Sequence, residues 1–197
     1  MKHFKLSLAS MAGLFSLLFV PLAQADTWNH RTKLKFSGPV QLPGKVLPAG
    51  TYIFKLMDSP SDRHIVQVFN AGETQIEGTF LTIPDKRLKA TGKTVIRFAE
   101  RPAGSPEALK AWFYPGARVG EKFVYPHDQA AELAKANNEP VFATRSDLSG
   151  YMTKSMKSDQ DSDAVEMRKA PVKAVQPNGE EIEIIEIYQT PASSHSK

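Results

Sequence analysis

Thr51-Tyr52-Ile53-Phe54-Lys55-Leu56-Met57 is the most regular stretch of this chain, with Tyr52, Phe54 and Leu56 at alternate positions and Thr51, Ile53 and Lys55 between them. In an extended backbone successive side chains point to opposite faces, so this two-residue period marks a half-buried strand rather than a helix. Just before it, Leu47-Pro48-Ala49-Gly50 reads as a tight reversal. Pro48 pre-sets φ at the second turn position and Gly50 is free to take a positive φ. Just after it, the polar run from Asp58 to Arg63 leads into a second apolar stretch, 64–69.

Outward from this centre the same rhythm repeats. Short segments rich in aromatic and β-branched residues, at 33–36, 40–42, 75–83, 94–99, 111–114 and 123–125, alternate with Gly, Pro, Asp and Ser clusters. This spacing belongs to all-β folds. The expectation is therefore an all-β domain over 26–126, a small β-sandwich or barrel of about seven strands. Pro39, Pro43 and Pro126 confine their neighbours to edges or strand ends, and Asn70-Ala71-Gly72-Glu73 reads as a hairpin turn. Ser105-Pro106-Glu107 has the chemistry of a helix start and suggests a single helical turn.

Beyond Pro126 the pattern changes. Residues 127–138 contain Ala130, Ala131, Leu133, Ala134 and Ala136 with Glu132 and Lys135, which predicts a helix capped by Asp128 and ended by Asn137 and Asn138. With Leu133 as its one large apolar side chain, it reads as a surface helix. Residues 139–181 are poor in large apolar side chains and read as a flexible linker. The run Ile182-Glu183-Ile184-Ile185-Glu186-Ile187-Tyr188 then reads as a terminal strand, either paired in cis with an edge of its own domain or donated to another protein or a second copy, followed by a disordered tail at 189–197.

The other end of the chain has a different destiny. Residues 1–25 carry Lys2 and Lys5, an apolar stretch from Leu6 to Leu22, and Ala23-Gln24-Ala25. That is the pattern of a secretory signal peptide cut between Ala25 and Asp26. The expected product is exported, to the periplasm or beyond, with no transmembrane segment after cleavage. Loss of Lys2 and Lys5 lowers the formal charge from the +4 of the 197-residue chain to +2. A nucleic-acid partner is not expected from that balance.

Composition and motif content exclude much chemistry. With no Cys, disulfides and thiolate chemistry are ruled out. The familiar nucleophile-elbow, phosphate-loop, dinucleotide and zinc-protease motifs do not occur. No catalytic residue, metal site or cofactor is assigned. Two groups remain as candidates. Asp58, Asp62, Arg63 and His64 lie on one loop between two well-patterned strands, where they suit a small anion or polar ligand if they are not spent on turns of their own backbone. Lys86, Arg87, Lys89, Lys93, Arg97 and Arg101 form a basic group that reads first as solvated charges on a loop and an outward strand face, and otherwise as a patch able to attract an anionic envelope polymer. Trp112, Phe113, Tyr114, Phe123 and Tyr125 are expected chiefly in the core, and otherwise as a sugar-stacking platform.

The strings GPVQLPGKVLPAGTYIFKL (38–56), DSPSDRHIVQVFN (58–70), ERPAGSPEALKAWFYPG (100–116) and FVYP (123–126) resemble a family of uncharacterised exported bacterial proteins. The resemblance covers roughly Trp28 to Leu133 and implies an exported β domain. It brings no catalytic or ligand residue with it. The expected function is a non-catalytic cell-envelope or secreted binding or structural module with an envelope ligand or protein as partner. The alternative is a small hydrolase or other enzyme with a site around Asp62, Arg63 and His64.

Overall fold

The computed structural model describes residues 30–57, 63–145, 148, 150–158 and 160–184. Residues 1–29, 58–62, 146–147, 149, 159 and 185–197 lie outside them. The fold is all-β: the described residues form thirteen strands and two helices, in one nine-stranded and one four-stranded sheet.

The large sheet is built on the central stretch. β4 (Gly50–Met57) is flanked by β1 (Arg31–Phe36) and β5 (His64–Asn70), both antiparallel, so Tyr52, Phe54 and Leu56 face inward together with Leu34, Phe36, Val66 and Val68. The turn after β5 is closed by Asn70, whose Oδ1 accepts from the Thr74 and Gln75 amides at 2.9 and 3.3 Å. β6 (Ile76–Lys86) spans two halves of the sheet. It pairs with β5 up to Thr82 and with β9 (Val119–Phe123) from Thr82 onward. Pro84 is tolerated because β5 no longer flanks the strand there and no ladder bond is missed.

β8 (Glu107–Phe113) joins the remaining strands. β7 (Val95–Ala99) runs along one of its edges, and the other is shared by β9 at Ala111 and Trp112 and by β2 (Val40–Leu42), in parallel, at Glu107 and Ala108. β3 (Lys45–Leu47), a strand the sequence pattern did not suggest, returns from β2 through Pro43-Gly44. Gly44 takes φ 70°, which an L side chain resists. The sheet curls until its two ends face each other: the Phe36 and Phe98 rings lie 6.4 Å apart, and His30 stacks on Tyr114 at 3.8 Å.

Three local expectations change. Gly50 opens β4 without a left-handed backbone, its lack of a side chain making room for the Tyr52 ring, whose hydroxyl donates to the Pro48 carbonyl at 2.9 Å. Ser105-Pro106-Glu107 forms no helix; the Ser105 amide closes a turn onto Pro102 O at 3.1 Å and Glu107 starts β8. Tertiary pairing with β2 and β7 outweighs the local capping pattern. α1 (His127–Asn137) begins after Pro126 with no side-chain cap, Asp128 lying in its first turn, and ends at Asn138 in the left-handed conformation. It lies on the domain surface, with Asp128, Glu132, Lys135 and Ala136 exposed, while Ala130, Leu133 and Ala134 are almost wholly buried because small side chains let the helix sit close against the sheet.

The largest departure is the segment read as a linker. It carries β11 (Val141–Thr144), α2 (Ser162–Lys169), β12 (Val172–Val175) and β13 (Glu181–Glu183). With β10 (Tyr125–Pro126) the three strands make the second sheet, β10 parallel to β11 and the rest antiparallel. Of the isoleucine run, Ile182 pairs with Ala174 in β12 and Ile184 is buried, while Ile185 to Tyr188 lie outside the described residues. Met156, Ala164, Met167, Val172 and Ile184 pack on Ile65, Leu81 and Ile83, the outer face of β5 and β6. That second layer explains why β5 and β6 are buried on both faces at their centres. Polar ties accompany it: Thr79 N donates to Met152 O at 2.8 Å, and Thr79 Oγ1 donates to Lys154 O at 2.6 Å.

Candidate functional site

The loop candidates are drawn into the framework. Arg63 donates through Nη1 to the Ala170 carbonyl, at the junction of α2 and β12, and partial burial lowers its guanidinium pKa from the ordinary value. His64 turns inward at the start of β5, with Nδ1 3.0 Å from each carboxylate oxygen of Glu121. Thr82 Oγ1 donates to Glu121 Oε2 at 2.7 Å, and Glu121 is only 1% exposed. The register places His64 opposite Thr82 and Glu121 opposite Trp112, so a buried carboxylate on β9 is held by neighbours from β5 and β6. Glu121 carried no signal in the sequence, because its partners come from strands distant along the chain. Asp58 and Asp62 lie outside the described residues.

The basic group divides. Arg97 pairs with Asp85 at 3.3 Å, and the guanidinium groups of both Arg97 and Arg87 lie 4.9 Å from the centre of the Phe113 ring. Lys86, Lys89 and Lys93 are exposed at the β6–β7 connection. Arg101 is half-buried elsewhere, its field acting on Tyr125. Trp112, Phe113, Phe123 and Tyr125 are buried, so these rings fill the interior and form no outward platform. The Tyr125 hydroxyl lies 2.8 Å from Leu109 O, and burial raises its pKa well above the ordinary range.

A cleft that sequence reading missed lies where α1 meets the second sheet. It encloses about 410 Å³ and is lined by His127, Asp128, Thr144, Arg145, Lys173 and Glu181 among others. Glu181 is its electrostatic centre, with Lys173 Nζ and His127 Nε2 each 2.8 Å from its carboxylate. The hydrogen bond from Lys173 holds the Glu181 carboxyl below its usual pKa, and the same bond raises the Lys173 ammonium. The antiparallel register that pairs Val175 with Glu181 brings Lys173 diagonally across to it. His127 looked isolated in the sequence because its partners lie in strands that a poor apolar content concealed.

Among the described residues no group of three or more His, Cys, Asp or Glu side chains is placed to hold a metal ion, and no helix is long and apolar enough to cross a membrane. The fold and cleft thus define an all-β protein whose second sheet roofs the first and forms a charged recess with α1. No protein-family model, curated protein or solved structure matches the chain.

Proposed function

We propose that the protein is exported, cleaved between Ala25 and Asp26, and acts as a non-catalytic envelope or secreted binding module that takes a small polar ligand in the cleft beside α1. The cleft carries this reading, because its size suits a small molecule and its wall offers both signs of charge, Arg145 and Lys173 against Glu181 and Asp128. Such a wall favours a zwitterion, with a carboxylate toward the cations and an ammonium group toward the acids. Export is tested by mass spectrometry of the protein from an envelope fraction, which should begin at Asp26; a chain still starting at Met1 would refute cleavage.

Ligand binding is tested on the mature chain by thermal shift with L-alanine, L-glutamate and the dipeptide Ala-Ala. At a hundredfold excess over Kd, binding stabilises by about 2.7 kcal/mol, or roughly 5–10 °C for a domain of this size. Lys173→Met should abolish the shift, and no shift with any of the three would overturn the reading. The hydrolase alternative is favoured by one observation, the imidazole of His64 held by a buried carboxylate. Turnover of p-nitrophenyl acetate by the mature chain, lost in His64→Gln, would support it over the binding module.

A further inference from the structure

The β6–β7 and β8–β9 connections are fastened into one rigid tip. Arg87 N donates to Arg118 O at 3.0 Å, Gly116 N donates to Thr91 O at 2.8 Å, and Arg87 Nε donates to Ala117 O at 2.8 Å. The Arg87 guanidinium is thereby held against the Phe113 ring and is used for structure. What the tip shows to solvent is different in kind. Lys86, Lys89, Lys93 and Arg118 are exposed, and between them Leu88 is 97% exposed and Val119 38%. The register pairs Lys86 with Val119, so cationic and apolar side chains share one end of the sheet.

Neither 86–94 nor 115–119 contains an acidic residue. The nearest along the chain are Asp85, bonded to Arg97, and Glu121, buried between His64 and Thr82. A single exposed leucine on a protein surface is ordinary. A leucine almost fully exposed on a fastened loop, within a patch of cations whose two connecting segments carry no acidic residue, has the make-up of an interfacial anchor.

We propose that this tip docks the protein on an anionic phospholipid surface, with Lys86, Lys89, Lys93 and Arg118 against the headgroups and Leu88 entering the interface. A soluble polyanion would use the cations and leave Leu88 idle, so the leucine favours a bilayer. The docking stands independently of the cleft and of its ligand.

The test is co-sedimentation of the mature chain with phosphatidylglycerol vesicles and with phosphatidylcholine vesicles, at low and high salt. Binding should require phosphatidylglycerol and weaken as salt rises. Each cation is worth roughly a fivefold gain in partition near such a surface, so reversing two of them in Lys89→Glu/Lys93→Glu should lower binding by at least about 25-fold. Leu88→Ser should lower it by roughly tenfold. Both variants alter exposed side chains and should keep the wild-type melting temperature. Retention on dextran sulfate should be unaffected by Leu88→Ser. Equal binding to both lipids, no binding to either, or retention on dextran sulfate without vesicle binding would each overturn the proposal, the last in favour of a soluble polyanion.

Discussion

Ending the chain after Asn138 is expected to unfold the protein. The outer faces of β5 and β6 present Ile65, Leu81 and Ile83, at most 4% exposed, and their cover comes from Met156, Met167, Val172 and Ile184, at most 6% exposed. Burying a side chain of this size contributes about 1.5–3 kcal/mol, so loss of the layer removes on the order of 10 kcal/mol, comparable with the whole stability of a typical domain, about 5–15 kcal/mol. Thr79 would also lose its bonds to Met152 and Lys154, leaving polar groups that were buried with partners. Circular dichroism and dye binding on residues 26–138 should show no cooperative melt and exposed apolar surface. A truncated chain melting within a few degrees of residues 26–197 would mean that 139–184 is a dispensable appendage.

The second large effect is expected at Trp112. Its side chain is fully buried, 5.7 Å from the Phe54 ring and 6.0 Å from Tyr114, both edge-on, and it lies across from Glu121. Trp112→Ala should destabilise by about 3–5 kcal/mol, from lost burial and the cavity left behind. Trp112→Phe should cost less than Trp112→Ala, because the cavity it leaves is smaller and Nε1, without a hydrogen-bond partner among the described residues, forfeits no bond. The neighbouring Gly120→Ala probes the opposite fault. A methyl there would stand 2.5 Å from the Trp112 carbonyl oxygen and 2.4 Å from the Phe113 ring, and overpacking of this kind destabilises by about 1–3 kcal/mol. Urea melts of the three variants give the order; a cost below about 1 kcal/mol for Trp112→Ala would contradict the packing described.

The all-β class was legible because several strands of the large sheet bury one face and therefore alternate. β1 reads exposed and buried in turn over its full length, and β4 carries Tyr52, Phe54 and Leu56 inward. α1 was legible from its composition, although its burial was not, since alanine faces give no measure of how near a helix may approach. Where strands shrink to three or four residues the period vanishes. β3, β11, β12 and β13 are that short, and only partners far along the chain make them strands.

The same limit governs the site. The chain could announce Arg63 and His64 as neighbours, since sequence adjacency fixes them on one loop, but it could not say that Arg63 reaches Ala170 or that His64 faces Glu121. Nor could it gather His127, Lys173 and Glu181 around one recess. By itself the sequence determined the backbone's extended habit, the positions of its reversals and the absence of thiol chemistry, all of which depend on residues acting locally. The tertiary structure alone decided that a polar segment of modest hydrophobicity would fold. Its few apolar side chains suffice because the outer face of β5 and β6 supplies the other half of the core.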